Sequence, residues 1–351
     1  MKKLSAVAIA VFMAGQANAA IEVVNNDTTK VELAGRAYAG QFLGTQKSTT
    51  EGSEKYGENT YIRMGLKGET AVNDTMKAVG EYEAQFKSVG AENDAASNNN
   101  LTTRLAYGGI KAKDFGTVTF GRQKGAVSTI AAWTDVALSD GYGNSGLGIG
   151  TDTYGTYRAG DMLKYTGKFN DFQLDVDYKF SSNSSDASVA SLASTETKAN
   201  AAAYGAALSY KLMDKVSFGT GYNVGLRDVA GAEDAKLWVI GAMYDDKAFY
   251  AALNFDKGSD YTASGTDMTG TEAALGYNFA NGFGLMATYN KQKTETNSVK
   301  TTTIDYYTLG TQYKFNKNFR VIAEYRINNK PTTSAGYDYK NDYQLAARYD
   351  F

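Results

Sequence analysis

The sequence predicts an all-β chain: a sixteen-stranded antiparallel transmembrane β-barrel with one long loop folded into its lumen. Three observations predict it. Runs of about ten residues alternate apolar and polar side chains, so each run, laid out as a strand, has one apolar and one wet face. The connections between these runs alternate short and long, as they do when a barrel has tight turns at one end and loops at the other. No later segment approaches the roughly 18 consecutive apolar residues of a spanning helix.

In chain order, the first element is MKKLSAVAIAVFMAGQANA. Lys2 and Lys3 precede an apolar run over 4–14, and Ala17-Asn18-Ala19 has the spacing of a cleavage site, so residues 1–19 read as a secretory signal peptide. The alternative, a membrane anchor, needs a longer apolar run. The rest, 20–351, reads as one barrel domain. Removing nineteen of 351 residues leaves 332; without Lys2 and Lys3 the 36 basic residues become 34 against 38 acidic, a net charge of −4. That balance argues against a nucleic-acid partner, which requires a basic surface. With no cysteine, an exported chain has no disulfide framework and depends on its own fold. Nothing in the sequence calls for a cofactor.

The expected strands span 30–43, 59–69, 76–87, 101–112, 116–124, 160–168, 172–180, 200–212, 215–224, 235–244, 248–255, 270–279, 282–291, 303–315, 319–328 and 339–351. In the first, Arg36 alternates with Val31, Leu33 and Gly35. In the second, Arg63 shares a face with Tyr61 and Lys67, opposite Ile62, Met64 and Leu66. In the fourth, Arg104 lies opposite Leu101, Thr103 and Leu105. Phe172, Leu174, Val176, Tyr178 and Phe180 oppose Gln173, Asp175, Asp177 and Lys179. Near the end, Val321, Ala323 and Tyr325 oppose Arg320, Glu324 and Arg326. The last strand sets Tyr343, Leu345, Tyr349 and Phe351 against Asp342, Gln344, Arg348 and Asp350.

Short connections such as 71–75, 169–171, 213–214 and 316–318 are mostly rich in Asn, Asp or Gly, the residues tight turns require. Sixteen strands make a barrel too wide for side chains to fill, so its interior is wet. The polar faces then line a lumen and the apolar faces meet lipid, with Tyr and Phe at strand ends as interfacial girdles. A secreted β-sandwich or β-helix would not show this loop asymmetry. On this face assignment Glu324 should tolerate a cation where Tyr325 should not.

The stretch 124–158 is the longest connection. It carries Gly141, Gly143, Gly146, Gly148, Gly150 and Gly155 together with Asp135, Asp140 and Asp152. A loop of this length inside a compact domain is uncommon unless it is functional. We expect it to enter the lumen and narrow it.

The segments KVELAGRAYAG (30–40), NTYIRMGLKGETAVND (59–74), TTRLAYGGIKAKDFGTVTFGR (102–122), the WTD that opens the long loop and the terminal Tyr349-Asp350-Phe351 carry a resemblance. Over its whole length the chain resembles the general diffusion porins of the Gram-negative outer membrane, the OmpF/OmpC/PhoE kind. The resemblance implies a homotrimer in the outer membrane, in contact with lipid and lipopolysaccharide. Such a pore passes ions and small hydrophilic solutes by passive diffusion. It implies a constriction in which a basic wall, matched here by Arg36, Arg63, Arg104 and Arg158, faces acids on the third loop. Asp135 matches the first acid. The family's PEFGG is replaced by ALSDGYGN, which makes Asp140 the nearest candidate for the second. Tyr349 and Phe351 are similar to the C-terminal signal read by the barrel-assembly machinery, and Glu92 and Asp94 in the loop 88–100 are candidates for a trimer latch. The net charge of −4 suggests a mild cation preference, which the arginine wall opposes.

Other signals compete with this reading. Gly141-Tyr-Gly143-Asn-Ser-Gly146 spells a dinucleotide fingerprint, but glycine continues through Gly148 and Gly150, where such a site needs a helix. Without His or Cys the usual catalytic base and nucleophile pairings are missing, so an enzyme reading has no anchor. Asp175 and Asp177 share a strand face and could hold a divalent cation, or could simply line a wet lumen. Trp133 either packs the long loop on the wall or offers a stacking platform for a sugar, as in saccharide-selective porins. Adhesion through the outer loops is a further alternative.

Overall fold

Alternating runs become strands because every backbone N–H and C=O that crosses a membrane needs a partner, and a closed sheet supplies one to each. The computed structural model describes residues 20–44, 56–88, 101–140, 142, 146–182, 197–227, 231–330 and 341–351. In chain order the strands are β1 Ile21–Asn25, β2 Thr29–Leu43, β3 Tyr56–Glu58, β4 Tyr61–Ala71, β5 Met76–Lys87, β6 Leu101–Ala112, β7 Gly116–Lys124, β8 Arg158–Phe169 and β9 Phe172–Lys179. The second half contributes β10 Ala203–Leu212, β11 Val216–Gly225, β12 Ala235–Asp245, β13 Phe249–Ser259, β14 Thr266–Asn278, β15 Phe283–Thr296, β16 Val299–Lys314, β17 Phe319–Asn328 and β18 Asp342–Asp350. Setting aside the short β1 and β3, sixteen strands pair antiparallel with their chain neighbours, and β18 closes on β2 from Gln344↔Phe42 to Asp350↔Arg36. The expected strand number and order are therefore found.

Two short strands were not expected. β3 pairs with the upper end of β2. β1 folds back on its lower end, Ile21 opposite Leu33, just beyond the point where Phe351 exchanges two backbone hydrogen bonds with Gly35 (2.6 and 3.0 Å). β1 and the C-terminal Phe351 thus share one strand position along β2. The expected loop 292–302 is instead a continuation of β15 and β16 to a two-residue turn. Asn297 and Ser298 there have φ of 50° and 63°, the left-handed pair that a tight hairpin turn needs.

The short turns show why Asn and Asp recur in them. Asn73 Oδ1 accepts from the N–H of Thr75 and Met76 at 3.0 and 2.9 Å, and Asn316 Oδ1 accepts from Asn318 and Phe319 at 2.8 and 2.9 Å. Each side chain replaces a backbone acceptor where the ladder stops.

The faces alternate as expected. In β18, Tyr343, Leu345 and Tyr349 are 47%, 50% and 46% exposed, while Asp342, Gln344 and Arg348 are 1%, 0% and 3% exposed. An outer surface this apolar is a lipid-facing one. Rings near the short turns pair into a girdle, among them Tyr277 with Phe279 (4.7 Å), Phe279 with Phe283 (5.7 Å) and Tyr313 with Phe315 (4.9 Å). One expectation fails locally. The inward face is not polar everywhere, because Ala207, Leu237, Val239, Met243 and Ala252 point inward and are buried under the long loop.

Candidate pore constriction

The loop between β7 and β8 leaves the wall at Gly125, whose N–H donates to Tyr157 O (2.9 Å) and closes the neck. One helical turn, Ser128–Ala131, follows. Ala126, Val127, Ile130, Ala131, Trp133 and Val136 then pack on the apolar patch of β10, β12 and β13. Close approach is possible because the wall is bare there. A Cβ on Gly241 would lie 3.0 Å from both Ile130 Cγ2 and Trp133 Cε3.

Beyond this patch the loop is held by carboxylates. A glycine-rich segment without secondary structure has backbone N–H groups that still need acceptors. The wall supplies them. Asp177 Oδ2 accepts from Ala126 N (2.5 Å), and Glu272 Oε1 accepts from Gly146 N and Leu147 N (2.8 and 3.3 Å) while Oε2 accepts from Thr134 Oγ1 (2.6 Å). Asp256 Oδ2 accepts from Gly148 N (2.6 Å), and Glu324 accepts from Leu138 N and Ser139 N (3.3 and 2.8 Å) as well as the Ser139 hydroxyl. Tyr142 donates its hydroxyl to Asp342. At its tip the loop reaches β2, where Asp140 N donates to Tyr38 Oη (3.1 Å) and Asn59 donates to Asp140 O (2.6 Å). The loop thus runs along the inner wall from β9 past β14 and β17 to β2. Gly146 is needed at the return, since a Cβ there would stand 2.8 Å from Glu272 Cγ.

The opposite side carries the arginines. Arg36 and Arg63 are direct register partners on β2 and β4. Arg63 donates to Gln85 Oε1 through Nε and Nη2 (3.2 and 2.7 Å) and lies 5.1 Å over the Tyr61 ring, which stacks on Tyr38 at 5.2 Å. Arg104 sits in a β-bulge: Glu83 pairs with Leu105 and Ala84 with Thr103, leaving Arg104 as the extra residue. Bulges re-aim side chains, and here Arg104 Nε meets Glu83 Oε1 at 2.5 Å. Arg158 opens β8, donates to Thr151 Oγ1 (3.1 Å) and lies 4.7 Å over Tyr157.

Arg36 and Arg63 thus sit side by side, with Arg104 within electrostatic reach of Arg63 and Arg158, and the loop tip at Asp140 comes down beside Tyr38 on the same strand as Arg36. The charges acting on Asp135 include Lys124, Arg158 and Arg104, and Asp140 acts on Arg36 and Arg63. Other expectations change. Trp133 is 3% exposed and packs against the bare wall at Gly219 and Gly241, so it seats the loop and offers no surface to a sugar. Glu324 is 2% exposed and serves as a loop anchor, so it is not a tolerant lumen position. Asp175 and Asp177 hold the loop neck, with Asp175 also 3.3 Å from Lys164 Nζ, and among the described residues no cluster of acids fits a metal ion. Tyr349 and Phe351 lie at the closing seam, rings 5.9 Å apart. Glu92, Asp94, Gly141 and Gly143 fall outside the described residues.

Several functional residues were not singled out. Asp256, Glu272 and Asp342 anchor the loop. Arg122 pins its far limb through a bidentate pair with Asp152 (2.8 and 3.0 Å). Arg320 and Arg348 extend the basic side downward. All except Arg122, which lies beside a β-bulge, sit on the lumen parity of their strands, and that parity was the available signal.

A family model described as Gram-negative porin matches residues 26–351. The outer membrane porin protein NmpC of Escherichia coli is 30% identical, with 93% of each chain covered. The outer membrane porin protein OmpD of Salmonella typhimurium is also 30% identical, covering 93% of this chain and 92% of that one. Among solved structures, Salmonella typhi OmpF in complex with daunomycin superposes with a TM-score of 0.80 at 23% identity, over 94% of this chain and all of that one. An anion-selective porin from Comamonas acidovorans gives 0.67 at 16% identity, over 92% of this chain and all of that one.

Proposed function

This chain belongs to the Gram-negative porin family, and from that premise we propose that its selectivity is set where the loop faces the arginines. It is an outer-membrane general diffusion porin. The finer reading is that a transverse field at the waist, from Arg36, Arg63, Arg104 and Arg158 toward Asp135 and Asp140, sorts solutes. Arginine keeps its proton, so this field is fixed. Polar solutes align in it, and apolar ones must displace oriented water.

The observation that carries the reading is the unequal state of the two charges. Asp177, Asp256, Glu272, Glu324 and Asp342 are spent on the loop and lie behind it. The arginines are held by side chains of the wall, Arg36 by Asp350, Arg63 by Gln85 and Arg104 by Glu83, and take no backbone N–H of the loop. A passing ion therefore meets more positive than negative charge at the waist, whatever the chain's overall balance, and the preference is for anions. In water a unit charge about 7 Å from an ion contributes about 0.6 kcal/mol, so removing one arginine should change the anion-to-cation permeability ratio by about three-fold after screening. Reversal potential in a salt gradient tests this. Arg63→Gln with Arg104→Gln should move selectivity toward cations, and Asp135→Asn with Asp140→Asn toward anions. If neither pair moves the potential, the waist reading fails.

The same proposal includes a homotrimer, export by a cleaved signal over 1–19, assembly through Tyr349 and Phe351 and no catalytic activity. What supports these is the family, together with the absence of His and Cys. The saccharide alternative loses its one candidate residue with the burial of Trp133.

A further inference from the structure

Two of the waist arginines share one uncharged acceptor. Gln85 Oε1 accepts from Arg63 Nε and Nη2 at 3.2 and 2.7 Å, and from Arg104 Nη1 at 3.5 Å. Strand register explains how one side chain reaches both. On one side of β5, Gln85 is the direct partner of Arg63. On the other, the ladder resumes at Ala84 with Thr103 and at Gln85 with Thr102, just past the bulge that leaves Arg104 as the extra residue. Gln85 therefore stands between the two guanidinium groups, and it and Arg63 are each only 7% exposed.

The edge of Arg63 that meets Gln85 is its Nε–Nη2 fork. That fork is shaped for the paired oxygens of a carboxylate. The neighbouring Arg104 has such a partner, with Nε at 2.5 Å from Glu83 Oε1. Glutamine has the length and branching of glutamate, so position 85 has the shape of a carboxylate site without the charge. The fixed charges that bear most on Arg63 are Arg104 and Arg36, which repel it, and Asp140. Guanidinium groups cannot relieve such repulsion by losing a proton. A neutral carbonyl meets their need for an acceptor and leaves their charge in place.

We infer that Gln85 is a positioning residue that determines specificity: it fixes Arg63 and Arg104 at the waist while leaving their charge uncancelled. The inference rests on the reading of the waist proposed above. A carboxylate at position 85 would hold the same N–H groups and pair with Arg63 through its fork. The pore would keep its side-chain volumes and lose one unit of positive charge at the place where ions pass. Ion preference is then set by which acceptor holds the arginines, and not only by how many arginines there are.

The test is single-channel recording of the purified full-length protein in a potassium chloride gradient at pH 7. Gln85→Glu should move the anion-to-cation permeability ratio toward cations by about three-fold, the effect of one unit charge, with wild-type current noise and heat stability. A merely structural glutamine predicts no shift, because this variant keeps the shape and the acceptor. Gln85→Leu keeps every charge and removes the acceptor. It should raise current noise and give a smaller shift in the same direction, and most of that shift should vanish in an Arg63→Gln background. Should Gln85→Leu not insert, Gln85→Glu decides alone. If Arg63→Gln moves the reversal potential and Gln85→Glu does not, this inference fails and the waist reading stands. If neither moves it, both fail. An equal effect of Gln85→Leu with and without Arg63 would also overturn the inference, since Gln85 would not be acting through that arginine.

Discussion

The two sides of this lumen carry opposite charges for different physical reasons. On the side from β9 to β18 the upper carboxylates are buried and face backbone N–H groups of the loop. On the side of β2, β4, β6 and β8 the arginines meet mainly side chains, Gln85, Glu83 and Asp350, and aromatic faces. Chemistry decides which charge goes where. A glycine-rich loop with no helix or sheet presents donors, and a carboxylate with about four lone-pair positions can accept several of them. A guanidinium has no acceptor site, so it cannot take up these N–H groups; Arg122 fastens the far limb by donating to the loop's own Asp152. The acids therefore act as fasteners of the loop.

The comparison breaks most directly at Glu272. Glu272→Ala would strand the donors of Thr134, Gly146 and Leu147 in a buried site. At about 1–3 kcal/mol for each unsatisfied group, the loss over the three is roughly 3–9 kcal/mol. Heat unfolding should shift down, and single-channel records should become larger and noisier as the return limb of the loop leaves the wall. Wild-type conductance and stability would mean that the acid is not a fastener. Trp133→Ala comes next. Removing a buried tryptophan costs roughly 3–5 kcal/mol, and the expected signature is lower thermal stability with no sugar-dependent change in current. Tyr325→Arg is a control outside both walls, a cation placed in lipid at a cost of roughly 2–4 kcal/mol near mid-membrane. Refolding yield into vesicles should fall for it and not for a lumen variant such as Arg63→Gln. That last variant sharpens the contrast from the other side. Its buried guanidinium donates to neutral Gln85 and lies over Tyr61, so the expected stability loss is about 1–3 kcal/mol, smaller than for Glu272→Ala, while its reversal potential moves. A large stability loss there would put the arginines among the fasteners.

Much of the barrel was legible because its signals are local. Alternation over ten residues assigns a face, and an Asn at the end of a run supplies its own turn. The strands from 76–87 to 116–124 appear with the expected bounds for that reason. The long hairpin of β15 and β16 was missed because its outer part is polar on both faces, so period-2 alternation fades there while cross-strand pairing persists. Arg36, Arg63, Arg104 and Arg158 were legible as inward residues or by resemblance. The bulge that aims Arg104 was not, since an extra residue in a ladder shows only when the partner strand is in register beside it.

By itself the sequence determined the class of fold, the strand order and the lipid and lumen faces. Each of these follows from the period of the side chains and from the rule that lipid accepts no unpaired backbone. Tertiary structure alone decided the path of the loop, because the groups that fix it are far apart in the chain. Gly146 is 126 residues from Glu272, and Ser139 is 185 from Glu324. Nothing near Gly146 announces an acceptor, and nothing near Glu272 announces a donor. They meet only because barrel closure carries β14 and β17 round to face a loop that left the wall at β7.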